Sequence, residues 1–458
     1  MEYGNIHSGN KTFNSMKIKF LFDSDCEIGK IICIIIYLFI YDYLFYTFVY
    51  GLFAYLGEIE YMPMDIAIKS TWLFLSIIPF AFYKHISNVS SFITLFLYIF
   101  AYIPFVHAIF VLWKLPIQDK LLYTIVTCVF FSIYISMGKR RKLLKSIRIV
   151  PEIQFRWLEM ATIALTIVFV LANYQRMHFV NIFTQESIMY ELRAQNSEDM
   201  GVRNIFGYLR GWLFGAFYPF LLICYLKQKK WLKALLILGG YIILFMVDMQ
   251  KLTFLMPFAL MGLYFLIKSN MQLISHYLHS YIIIFFAISS LILLPLQDNK
   301  VLFTMSAIII LRTVCVTGWL TQMYFNFFIN GNPFTHFSHI NIINFFTNAY
   351  PYNESLGQIV AYNSQNANDT FLLTDGYAAW GLIGIIIIGI IFFIFLEFLN
   401  SVTYRYKTED LFILFLPTTA YLLNTSFFTT LLSNGLFILL IFIAMSNNPL
   451  LLEKNASS

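Results

Sequence analysis

The stretch Leu311–Ser338, LRTVCVTGWLTQMYFNFFINGNPFTHFS, decides how this chain is read. It holds Arg312 inside an apolar run, then sets Asn332, His336 and the adjoining His339 just beyond it. A guanidinium in hydrocarbon surroundings is costly unless it meets an anion or lines a wet cavity. The rest of the chain is hydrocarbon-soluble. Of 458 residues, 59% are hydrophobic and only 12% charged, with 50 Phe and 30 Tyr. The mean hydropathy is +0.72. That balance excludes an ordinary soluble domain, so polar residues are informative wherever they gather.

Outward from this stretch, apolar runs of about 17–25 residues recur, the length an α-helix needs to cross a hydrocarbon core. The expected fold class is an all-α polytopic membrane protein with about 12 transmembrane helices. They are read near 31–56, 69–83, 91–113, 120–138, 157–175, 207–226, 232–248, 252–268, 280–296, 377–399, 411–424 and 429–446. The polar first 28 residues lack an apolar core ending in a small-residue cleavage site, so no signal peptide is expected. Cys33, Cys128, Cys224 and Cys315 fall in apolar runs and no CxxC occurs, which argues against a disulfide framework.

Orientation follows from where the basic residues sit. The segments GKRRKLLKSIR (Gly138–Arg148) and KQKKWLK (Lys227–Lys233) are strongly basic, whereas Glu58, Glu60 and Asp65 follow the first span without a Lys or Arg. The net charge of +6 is therefore read as topology, not as nucleic-acid binding. The expected organisation is a cytoplasmic tail (1–28), helices 1–5 (29–175), a large outer loop (176–206), helices 6–9 (207–296), a very long outer loop (297–376), helices 10–12 (377–447) and a cytoplasmic tail (448–458). In this scheme Val301–Ile329 does not cross. It carries Arg312 with Thr313, Thr317, Gln322 and Asn326, and is read as a helix lying in the interface or tucked into a cavity on the outer side.

Two outer loops then hold most of the polarity. Residues 176–206 and the start of the next span supply Arg176, Arg193, Arg203 and Arg210, balanced by Glu186, Glu191, Glu198 and Asp199. A salt-bridged surface accounts for part of this, but arginines gathered on an outer face also suit phosphate, which guanidinium binds bidentately. Lys251, after Asp248 in VDMQKLTF, either snorkels to the interface or adds a point charge to the same anion site. Gly207, Gly211 and Gly215 form a doubled GxxxG, a signature of close helix packing. Asp23 and Asp25 resemble the metal-holding DxD of some glycosyltransferases, but lie in the cytoplasmic tail, away from the outer loops. Residues 330–376 are rich in Asn, Tyr, Ser and Gln, a composition that suits sugar hydroxyls and ring faces.

In these residues the chain resembles the Wzy-type oligosaccharide repeat-unit polymerases of O-antigen and capsule synthesis. YELRAQ, GYLRGW and FYPFLL are similar to that family's first large periplasmic loop running into a helix with a central proline, here Pro219. Lys251 and Thr253 echo a Gly-Lys-Thr corner, with Gln250 replacing the glycine. Arg312 through TQMYFNFFINGNPFTHFS, followed by NANDTFLLTDGYAAWGLIG, is similar to the family's arginine helix and closing loop. The likeness covers about residues 185–445. It implies a GT-C-like, metal-independent, cofactor-free glycosyltransferase of the bacterial inner membrane with its site facing the periplasm. The implied substrates are two glycans on undecaprenyl pyrophosphate, and the implied partner a chain-length regulator protein. Under that reading Arg312, Arg193 and Lys251, with Arg203 and Arg210 in reserve, hold the pyrophosphate. His336 or His339 is the general base, Asp375 the competing base, and Asn366 and Asn368 contact sugar. An O-antigen ligase and a lipid-linked oligosaccharide flippase stay open as alternatives. The absence of an internal repeat argues against the flippase.

Overall fold

A computed structural model describes residues 23–54, 59–138, 153–182, 185–200, 205–296, 298–362, 367 and 371–447. The chain is an all-α polytopic membrane protein: among the described residues, ten helices are long and apolar enough to cross a membrane. They are α1 (Glu27–Phe53), α3 (Val89–Val111), α4 (Ile117–Gly138), α5 (Phe155–Arg176), α7 (Phe206–Lys227), α8 (Trp231–Asp248), α9 (Lys251–Ser269), α10 (Ile274–Leu296), α11 (Lys300–Ile329) and α14 (Leu372–Thr403). Between and after them lie α2 (Ile66–Ala81), α6 (Glu186–Met200), α12 (Asn341–Thr347), α13 (Leu356–Val360), α15 (Thr408–Asn424), α16 (Phe427–Leu432) and α17 (Leu436–Met445). A two-residue parallel bridge, Ile153–Gln154 with Ser446–Asn447, ties the start of α5 to the end of α17.

Burial separates central from peripheral helices. α3 and α7 are 89% buried along their most apolar stretch, while α5 is 17% buried. On α5, Trp157, Met160, Ile163, Ile167 and Leu171 stay exposed at helical spacing. In water such a face would be a liability; against lipid tails it costs nothing.

The contacts define two ends. At the near end, where α1 begins, the Ser87 hydroxyl donates to the Gly138 carbonyl (2.9 Å) and Lys233 pairs with Glu159 (2.9 Å). Lys227 pairs there with Asp410 at the start of α15, and the Tyr406 hydroxyl donates to the Ile443 carbonyl (2.6 Å). At the far end, the Met62 amide donates to the Val111 carbonyl (2.7 Å) and Lys114 pairs with Glu60 (2.6 Å).

Two elements depart from simple traverses. α11 has the length to cross, yet both its ends meet far-end residues. Phe303 stacks on Phe53 at the end of α1, with ring centroids 5.8 Å apart. Midway, the Tyr41 hydroxyl donates to the Val314 carbonyl, and Tyr41 lies about 18 Å below Phe53 along α1 at 1.5 Å per residue. Past that point Gln322 donates to the Leu112 carbonyl (3.2 Å), back at the far end. The helix dips and returns. Its turning region, Ala307–Val316, is π-helical, the wider winding that accommodates bends and recurs at functional sites.

α14 is two helices. Trp380 and Gly381 have non-helical angles, Gly381 at φ +58°. A Cβ on Gly384 would lie 1.8 Å from the Gly376 carbonyl oxygen. Eight residues along a straight helix would separate those two backbones by about 12 Å. The chain therefore reverses at Trp380–Gly381, and Leu372–Ala379 forms a short buried arm folded against the following 22 residues. The two glycines let the arms touch.

Glycine also seats α7, though not against another helix. A Cβ on Gly211 or Gly215 would strike the carbonyl oxygens of Ser433 and Asn434, at 2.1 and 2.0 Å, in the turn before α17. Gly207 faces open space. The doubled GxxxG thus admits a backbone turn through two of its three glycines.

Candidate functional site

The α15–α16 corner, Tyr421 to Phe427, is where the far-end polar residues meet. It caps cleanly: Ser426 accepts from the Thr429 amide (3.1 Å), and Thr425 is bonded by Thr430 (2.9 Å) and Asn434 (3.2 Å). On one side Arg312, exposed on the π-helical turn of α11, donates to Asn424 Oδ1. On the other, Asp375 Oδ2 accepts from the Phe427 amide (3.2 Å). Asn424 and Phe427 are three residues apart, so the arginine of α11 and the carboxylate of the buried arm address one corner.

Asp375 Oδ1 faces His339 Nε2 at 3.6 Å, both side chains under 10% exposed. The Thr335 hydroxyl donates to the Ala378 carbonyl (3.0 Å), and lies 2.7 Å from His339 Nδ1. The Thr335 contact fixes the orientation of the imidazole ring. Among the described residues Nε2 has no hydrogen-bond partner. His336 is placed differently. It sits at φ +50° on the surface, and its Nδ1 accepts from the Trp380 indole at the tip of the hairpin. The two histidines thus point to different partners.

A second cluster surrounds the α8–α9 turn. Asp248 accepts from Arg210 (3.0 Å), from the Thr253 hydroxyl (2.6 Å) and from the Gln250 amide (2.9 Å), which shapes the left-handed turn at Met249. Arg210 is thereby committed to a mostly buried pair. α6 lies across this turn, held by Val180, Ile182, Met189, Phe245 and Met249, and by Asn196, which donates to the Val247 carbonyl (2.8 Å). The placement puts Lys251 Nζ over the Tyr190 ring (5.7 Å) and leaves Arg193 exposed, one helical turn further along α6. Tyr421 bridges the clusters: its ring packs on Phe214 (4.8 Å) and it interacts electrostatically with Arg210. Arg203, Asn366 and Asn368 lie outside the described residues.

The loop after α11 forms an aromatic wall. Phe325 stacks on Tyr377 of the buried arm at 3.6 Å, and Phe328 on Phe334 at 5.3 Å. The Tyr352 hydroxyl donates to the Pro333 carbonyl (2.6 Å), and burial pushes its pKa up to about 12, so it stays a donor at any physiological pH.

Sequence reasoning missed Tyr421, Asn424 and Thr425, which carry no charge and sit in an apolar run. It also missed a trio between α1, α2 and α3, in which the largely buried Asp42 pairs with the partly exposed Lys69 (2.7 Å) and the buried His107 (3.0 Å). Its one legible signal was a carboxylate in the middle of an apolar span.

No family model matches the chain, and neither the curated proteins nor the solved structures contain a match.

Proposed function

We propose that this protein joins oligosaccharide repeat units carried on undecaprenyl pyrophosphate, moving the growing chain to the non-reducing end of a new lipid-linked unit. The same reading holds that it has twelve spans, a GT-C-like frame, an inner-membrane location, and a site facing the periplasm at the far end. The observation that carries it is the convergence of Arg312 and the His339–Asp375 pair on the α15–α16 corner. The reaction requires both. An acceptor hydroxyl loses its proton to His339 Nε2 and attacks the anomeric carbon, whose bond to the pyrophosphate oxygen breaks. Asp375 lies beside that same nitrogen, so its negative charge favours the imidazolium that forms there. Arg312 meets the charge that develops on the departing oxygens. Arg193 and Lys251, presented together by the α6–α9 contact, extend the cationic surface toward the lipid pyrophosphate.

A deletion strain tests the class. A single repeat unit still attached to its acceptor supports the polymerase; loss of all attached glycan points to a ligase instead; lipid-linked units trapped on the cytoplasmic face point to a flippase. Complementation with Arg312→Lys should restore few long chains, because a bidentate fork becomes a point charge. Wild-type chain lengths from Arg312→Ala would remove that residue from the site.

A further inference from the structure

The Asp-x-Asp of the N-terminal segment has no part in the chemistry above, and the near end gives it a different setting. Asp25 precedes α1, His85 lies in the α2–α3 loop, and His276 opens α10. The two imidazoles stack, centroids 5.1 Å apart and planes 24° from parallel. Both direct Nδ1 at Asp25: His276 is 3.3 Å from its Oδ2 and also 3.7 Å from Asp23 Oδ1, and His85 is 3.7 Å from Asp25 Oδ1. The three donor atoms lie within 4.8 Å of one another.

Those separations bear on two readings. A well-formed N–H···O bond spans about 2.7–3.2 Å. Two ligands of one tetrahedral ion, each bound at about 2.0–2.1 Å, sit about 3.4 Å apart. At 3.3 and 3.7 Å both imidazole–carboxylate contacts are longer than a well-formed N–H···O bond and compatible with ligands sharing one ion. His85 Nδ1 is buried and, among the described residues, has no hydrogen-bond partner. The neighbours of the cluster are meanwhile in place. The Ser24 amide donates to the His276 carbonyl (3.2 Å), and Ile86 and Ser275 exchange two hydrogen bonds (3.1 and 2.8 Å). Asp23 is engaged by the Asp25 amide and the Tyr277 hydroxyl, each at 3.0 Å, which orients the Asp25 turn.

We propose that Asp25, His85 and His276 form a binding site for a divalent ion of the zinc class, at the end of the bundle opposite the candidate active site. Two imidazoles and one carboxylate suit Zn²⁺ and leave a fourth position for water. Three segments far apart in sequence would be clamped by the ion, so its effect is on stability and does not rest on the polymerase reading.

The test uses full-length protein purified in detergent through a tag without histidines, stripped with EDTA, incubated with Zn²⁺ and freed of excess. Elemental analysis should find one Zn²⁺ per chain, and the melting temperature should rise on binding. His85→Ala and His276→Ala should each weaken binding by more than about 100-fold, beyond what loss of a supporting group causes. Asp23→Asn should retain the ion. Co²⁺ added to the stripped wild type should give visible ligand-field bands, a readout that stands even where the alanine variants aggregate. Equal Zn²⁺ content in wild type and the double His→Ala protein, or no Co²⁺ bands in the wild type, would overturn the site.

Discussion

His339 and His336 are three residues apart and alike in sequence, yet their surroundings give them opposite chemistry. His339 has one nitrogen held by Thr335 and the other buried beside Asp375. His336 spends its acceptor on the Trp380 indole. General-base assistance is worth about 10²–10⁴-fold, so His339→Gln should reduce in vitro polymerisation of purified lipid-linked units by that order, with binding of the units retained. His336→Gln should alter the rate by less than about tenfold on the same scale. The reverse pattern, or a large loss only in Asp375→Asn, would move the base elsewhere. Arg210 is expected to behave unlike Arg312. Its pair with Asp248 is mostly buried, and removing one partner of such a pair strands a charge.

At the scale of elements, the hairpin in α14 depends on two residues without side chains. A methyl group on Gly384 would overlap the Gly376 carbonyl, and one on Gly376 would lie 2.5 Å from the Gly384 carbonyl. Gly384→Ala should therefore push the buried arm out of register and displace Asp375 and Tyr377. We expect a loss of activity and a broadened elution profile in detergent. Gly239→Ala is the matched control: it sits in α8 with nothing within 4 Å of the added carbon, and alanine favours the helix by about 1 kcal/mol. Should both variants elute and act like wild type, the arms are not packed as described. The same logic explains α11, where Gly318 admits the Pro104 carbonyl at 2.5 Å from a would-be Cβ. Close backbone contact there holds the returning half of α11 against α3.

For the whole molecule, the two ends differ in what they carry. Arg193 and Lys251 lie at the far end, His339 and Asp375 below it and Arg312 on the dip of α11, whereas the lysines at 227–233 and the Asp25–His85–His276 cluster belong to the near end. Positive charge marks the cytoplasmic side, so the far end should face outward. In a protein without native cysteines, Asn332→Cys and Glu354→Cys should react with an impermeant maleimide in intact spheroplasts. Lys229→Cys should react only after lysis. Labelling of Asn332→Cys only after lysis would invert the orientation or make α11 a crossing helix, and either would detach the site from a periplasmic substrate.

The sequence by itself determined the solvent and much of the candidate list. Long apolar runs demand helices because lipid offers no partners for backbone amides. The basic segments predicted an orientation, and Arg312, His336, His339 and Asp375 stood out as polar groups in or beside hydrocarbon. Only the tertiary structure decided which of them meet. Hydropathy reports how a residue feels about lipid, and a helix that bends back as α11 does has the same composition as a straight one. The reversal at Trp380–Gly381 is likewise invisible in an unbroken apolar run from Tyr377 onward. It arises because Gly376 and Gly384 allow two backbones to touch, a matter of shape between residues and not of their polarity. Asn424 and Tyr421 became part of the site for the same reason: neither is remarkable alone, and each matters through what α11 and α7 bring against it.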